Sequence, residues 1–329
     1  MTSDSPHPPR ATPSPESTAD AAVKTYNYLR LGLIALVALL AVSVGYEILD
    51  GKHLGSISAY YYTPARSVFV GVLVGIGIAL VAIKGRDTGY EDVLLNAAGM
   101  LAPIVAFVPT PVGEGTIVNG DPVSCPAGAA SCVPVDFEPG IDNAAWSLGL
   151  VGLLVLAVAV GLAVKDQRLG WAPPDQRRTT VGLCFAAVVY VAFLALDVFW
   201  HDNYVEWAHY LAAVPMFIAL TGAAVSNAVQ SDAHVQLRVM NGVPFTRFYW
   251  AVAAVMSTVL LAAGVYFVVT LGNPEGRWEY WVFVVEVLLL IPFTIFWILQ
   301  TREWWDRGAP GMTEGADSQP TSAETSDSS

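Results

Sequence analysis

Charge is scarce in this chain. Only 13% of its 329 residues are Asp, Glu, Lys or Arg while 54% are hydrophobic, and a mean hydropathy of +0.52 leaves too little polar surface to clothe a water-soluble globule. Histidine and cysteine number five and three, so any metal or disulfide chemistry must use few, identifiable side chains. Several signatures are missing altogether. There is no Walker or Rossmann glycine pattern, no Gly-x-Ser-x-Gly elbow, and no tight His-x-x-x-His or His-Glu-x-x-His pair. Nor is there a basic patch. Sixteen Lys and Arg stand against 28 Asp and Glu, for a net charge of -12, which speaks against nucleic acid as a partner.

What the chain has in abundance is apolar runs of bilayer length. A hydrocarbon core of about 30 Å needs about 20 helical residues at 1.5 Å each. Stretches at about 28–49, 66–84, 92–110, 143–164, 180–200, 207–229, 247–271 and 278–299 answer to that length. The first is too long for the apolar region of a cleaved signal peptide and reads as an uncleaved span. With the N-terminus in the cytoplasm, only Lys52, Arg66 and Arg277 of the sixteen basic residues fall outside, the bias expected of a correctly counted set of spans. The expected fold is therefore an all-α, eight-span bundle of the plasma membrane with both termini cytoplasmic. Residues 1–25, rich in Pro, Ser and Ala, and the acidic stretch 306–329 are expected to be disordered tails. Thr63 before Pro64 suggests a cap for the second span, Thr88 with Glu91 a capping box for the third, and Tyr60 to Tyr62 interfacial anchors.

An external loop, about 111–142, carries Cys125 and Cys132 with six residues between them, and a disulfide is the expected state in an oxidising space. At the same face, His53, His201 and His209 sit at the ends of spans one, five and six, with Glu47, Asp50, Asp197, Asp202 and Glu206 around them. The three imidazoles are candidate metal ligands, and three protein ligands with an open position would suit catalytic zinc. Asp197 stands four residues before His201 and would share its helix face. The competing reading is an interfacial histidine cluster bonded to carboxylates and water. The string Ser56-Ile-Ser-Ala-Tyr-Tyr-Tyr-Thr-Pro-Ala-Arg66 joins small hydroxyls to a helix start and an arginine. It suits a phosphate or carboxylate headgroup, although a re-entrant loop with a purely structural role has the same composition. Ser56, Ser58, Arg66, Glu47 and Asp197 are thus the candidate ligand-binding residues. Glu286 interrupts span eight and is a candidate proton carrier, or else a neutral acid bonded to a buried partner.

The same string, with Asp92-Val-Leu-Leu-Asn-Ala-Ala-Gly99, Val105-Ala-Phe-Val-Pro-Thr110 and Ala208-His-Tyr-Leu-Ala-Ala-Val214, resembles a family of uncharacterised multi-pass membrane proteins of actinobacterial type. That resemblance implies a bacterial plasma membrane and no particular activity. The chain also looks distantly like the CREST membrane hydrolases, in which Ser, Asp and His surround zinc. On that likeness Ser58, Asp197, His201 and His209 would take those parts, but the CREST group has seven core spans and a close His pair in the last, where span eight here has none. The leading expectation is a protein whose external polar pocket binds a lipid or small amphipathic ligand, with membrane lipids as partners. The alternatives are a zinc-dependent hydrolase of a lipid ester or amide, and a proton-coupled transporter.

Overall fold

The computed structural model describes residues 15–83, 90–118, 120–168, 176–233, 239–240, 243–273 and 276–305. Eight α-helices account for most of them: α1 (Pro15–Leu49), α2 (Arg66–Ala82), α3 (Glu91–Phe107), α4 (Glu138–Arg168), α5 (Gln176–Phe199), α6 (His201–Ala233), α7 (Phe245–Val269) and α8 (Trp281–Glu303). Six of these are long and apolar enough to cross a membrane, namely α1 and α4 to α8. The other two have 17 residues each, or about 25 Å of helix. A proline lies inside each of α3, α6 and α8, at positions 103, 215 and 292, as membrane helices commonly tolerate.

Helix α3 is the centre of the packing and lies most extensively against α6 and α2, while α1, α7 and α8 close the other side. Gly77 of α2 and Gly99 of α3 face one another so closely that a Cβ on either would stand 2.7 Å from the other's carbonyl oxygen. Helices without a hydrophobic drive to associate in lipid use such small residues to bring backbones together. Peripheral α4 leaves Leu150, Val151, Leu154, Val155 and Val158 exposed, and α5 does the same with Val181, Val188 and Val191. Uncovered apolar surface of this extent is at home against acyl chains.

Several boundaries differ from expectation. Helix α1 begins at Pro15, inside the stretch expected to be disordered, since Pro15 suits a first turn and the Ala-rich run after it is a good helix former. Thr63 does not cap α2. Its hydroxyl bonds to Tyr60 O (2.8 Å) and accepts the Ala65 N–H (3.2 Å), a local turn ahead of the Ala65 cap position. Thr88 lies outside the described residues. Spans five and six were expected to be joined by six residues, yet α5 ends at Phe199 and α6 starts at His201. Trp200 alone forms the corner, donating to Leu196 O (2.9 Å) and accepting from the Tyr204 N–H (2.8 Å).

The α3–α4 connection is ordered by two short antiparallel pairs, β1 (Val112–Gly113) with β4 (Ser131–Cys132) and β2 (Ile117–Val118) with β3 (Asp121–Pro122). A third pair, β5 (Val239–Met240) with β6 (Val243–Pro244), precedes α7. Cys125 and Cys132 form the expected disulfide. Opening so short a loop should cost about 2 kcal/mol of local stability. Cys125→Ser is therefore expected to speed amide hydrogen exchange across 112–132 while α3 and α6 keep their protection. Equal exchange in both proteins would show that the strand pairs hold the loop without the bond.

Candidate functional site

The described helices alternate in direction, so the ends of α1, α3, α5 and α7 meet the starts of α2, α4, α6 and α8 at one end of the bundle. That loop end holds every residue singled out as a site. Its organising element is the segment between α1 and α2, which includes a 3-10 turn over Ser58–Tyr62. Ser56 Oγ is 2.6 Å and Ser58 Oγ 2.9 Å from Thr110 Oγ1, and the Thr110 N–H donates to Ser58 Oγ at 2.8 Å. Tyr62 donates to Thr110 O (3.1 Å) and Tyr60 to Lys52 O (3.0 Å). The segment is thus stapled to the end of α3 by hydroxyls, and is buried where each unpaired backbone group would be expensive.

Its other side is clasped by α8. The Phe283 N–H donates to Gly55 O at 2.9 Å and the Ile57 N–H donates to Glu286 Oε2 at 2.5 Å. Gly55 is required here, because a Cβ would meet Glu279 O at 2.9 Å. Glu286 was expected near the middle of its span. It lies instead five residues into α8, about 7 Å along the axis, and is half-buried. Its partner is the backbone amide of Ile57.

The three tyrosines are not interfacial anchors, since Tyr60, Tyr61 and Tyr62 are 1%, 1% and 0% exposed. Burial pushes all three phenols up, Tyr62 well above its ordinary range, with Arg66 pulling Tyr61 part of the way back. Tyr60 and Tyr62 act as donors, and Tyr61 as an acceptor. Arg66 donates to the Tyr61 hydroxyl and lies over the rings of Tyr61 (4.2 Å) and Phe137 (5.5 Å). Gly140 at the start of α4 leaves room for it, as a Cβ there would stand 3.0 Å from Arg66 Nη2. Ser56, Ser58 and Arg66 are thus engaged in holding the loop end together.

The remaining candidates fall into separate places. Glu47, 4% exposed, binds Lys52 Nζ at 2.6 Å, with Asp50 at 3.2 Å from the same ammonium. This contact holds the lysine above its usual range. His53 is exposed on the same turn. His209 is buried, its Nδ1 2.7 Å from Val108 O. His201 Nδ1 is 2.9 Å from Asp197 Oδ1 and its Nε2 is 3.8 Å from Asp142 Oδ1. The expected metal trio of His53, His201 and His209 is therefore not brought together. Among the described residues the one group of three potential ligands within 4.8 Å of one another is Asp142, Asp197 and His201. His209 is turned onto the end of α3, and His53 stands out on its turn. Asp142, in the second turn of α4, had been assigned to the loop, and no spacing ties it to position 197.

A second polar centre, wholly missed in the sequence, occupies the opposite end. Glu91 Oε1 accepts from Asn227 Nδ2 (3.1 Å) and Gln300 Nε2 (2.9 Å), and Tyr249 donates to Glu303. Arg30, 0% exposed, lies within electrostatic range of Glu91, Glu303, Tyr249 and Tyr26. Asn27 ties α1 to the end of α8 by donating to Trp305 O at 2.6 Å.

Fold and composition define a multi-pass, all-α membrane protein whose polar side chains gather at the two ends of the bundle. No protein-family model matches the chain, and the searches found no similar curated protein or solved structure.

Proposed function

We propose that this protein spans the plasma membrane eight times, with both tails in the cytoplasm, and binds a lipid or other small amphipathic molecule at its external, loop end. The positive-inside bias supports the orientation, and the short α2 and α3 reach the full count because the buried 3-10 turn and the Val108–Thr110 segment extend them toward the outer surface. The observation that carries the ligand reading is an apolar groove on α7, at the bundle end that also holds the half-buried carboxyl of Glu286. Thr258, Leu261, Ala262, Val265, Tyr266 and Val269 line that groove. Tyr266 ends it against Trp281 of α8 (ring centroids 5.4 Å), five residues before Glu286. Arg277, bonded to Thr270 Oγ1 at 2.8 Å and lying over Phe267, adds a cation at the same level. An acyl chain along α7 with its headgroup between Arg277 and Glu286 satisfies both surfaces.

The test is the amphiphile content of full-length protein purified in mild detergent, read by native mass spectrometry and by lipid extraction. Ala262→Trp, which fills the exposed groove, and Glu286→Gln, which removes the carboxyl group, are each expected to lower the retained amphiphile several-fold. Unchanged retention in both variants, with unchanged thermal midpoints, would overturn the reading.

A further inference from the structure

The corner between α5 and α6 carries more negative charge than its surroundings neutralise. Asp197, 6% exposed, ends α5, His201 opens α6, and Asp142 reaches them from α4. Among the described residues neither carboxylate has a lysine or arginine partner. Two buried polar atoms at this corner also lack hydrogen-bond partners: Asp142 Oδ1 and the hydroxyl of Tyr204. Tyr204 is 1% exposed, its ring stacks on the His201 imidazole (centroids 6.5 Å, interplanar 22°), and its phenol is electrostatically coupled to both carboxylates. A buried acceptor and a buried hydroxyl left unsatisfied beside two acids each cost free energy that a cation would recover.

We propose that Asp142, Asp197, His201 and Tyr204 form a binding site for one divalent metal ion of the zinc class. His201 Nε2 and Asp142 Oδ1 face each other across 3.8 Å, a gap that an ion bound at about 2.0–2.2 Å by each ligand spans. Asp197, 2.9 Å from Nδ1, accepts a hydrogen bond from the Nδ1–H and orients the ring, the carboxylate–histidine–metal arrangement that raises ligand basicity. The Tyr204 hydroxyl completes the polar wall, bonding the ion or a water on it. Mixed imidazole and carboxylate donors suit zinc and its first-row neighbours better than magnesium or calcium, which take oxygen ligands. The site uses none of the residues assigned to the amphiphile, so either assignment can fail without the other.

Full-length protein in detergent, stripped with a chelator and then equilibrated with zinc, is expected to hold one zinc per chain by elemental analysis. Zinc should also raise its thermal midpoint. Asp142→Asn and His201→Gln are each expected to weaken zinc binding at least 10-fold, and Tyr204→Phe, which removes only the hydroxyl, by several-fold. Cobalt(II) bound in place of zinc is expected to show visible absorption that changes in the Tyr204→Phe protein. Asp142 has a side chain 40% exposed, so Asp142→Asn keeps the test readable even if His201→Gln folds poorly. Wild-type protein without stoichiometric zinc overturns the proposal. So does zinc retained at full affinity in Asp142→Asn, or zinc lost on His53→Ala instead.

Discussion

Replacing Arg30 with methionine is expected to lower the stability of the detergent-solubilised protein by about 3–5 kcal/mol, the cost of removing one partner from a buried charged network. Arg30 and Glu91 are 0% and 1% exposed. The guanidinium lies in the field of Glu91 and Glu303, while Asn227 and Gln300 supply neutral donors to Glu91. Without Arg30, those amides remain but the compensating charge is gone. The Arg30→Met, Glu91→Gln double variant should recover much of the loss, because it removes both charges and leaves the shape. Denaturant titrations of the two single variants and the double form a cycle that isolates this coupling. Single-variant losses that simply add in the double would show that the two charges do not sense one another.

Gly99→Val is expected to cost about 3 kcal/mol, at the upper end of what overpacking a well-filled contact costs. Its Cβ would stand 2.7 Å from Gly77 O and 2.8 Å from Val81 Cγ2. The nearest obstacle is backbone, so the clash is relieved only by moving α2 and α3 apart, and α3 is the helix that α6 also packs on. Gly32→Ala on α1 is the control: nothing lies within 4 Å of its added Cβ, and its effect is expected within about 1 kcal/mol, with the helix propensity of alanine in its favour. Thermal unfolding of the three proteins side by side reads the difference. Equal midpoints for Gly99→Val and wild type would place α2 and α3 further apart than described.

The contrast between what was legible and what was not follows the nature of each signal. The long helices could be read because a bilayer imposes length and apolarity on every segment that crosses it, whatever its neighbours. The Cys125–Cys132 bond was legible because only six residues separate the pair. The corner at Trp200 was not, since His201 to Glu206 is polar and reads as a turn, yet nothing in it prevents helix. Tyr60 to Tyr62 were read as anchors because aromatic residues next to a span favour interfaces on average; their burial depends on Phe137 and Thr110, which arrive from elsewhere in the chain. Arg30 and Glu91 were read as a cytoplasmic charge and a cap. Their meeting needs α1, α3, α6 and α8 to converge, and no local spacing records that. The histidines failed as a set for the same reason: three imidazoles at one bundle end share a level, but their directions are fixed by the helices that carry them.

The clasp between the α1–α2 segment and α8 has a consequence for biosynthesis. Ile57 and Glu286 are 229 positions apart, so in a nascent chain six further helices must emerge before Gly55 and Ile57 find their permanent partners. Until then those amide and carbonyl groups depend on water or on insertion factors. The last helix therefore acts as a latch on the first hairpin. Chains halted before Trp281 are expected to be recognised as unfinished and degraded by membrane proteases, however well their earlier helices have inserted.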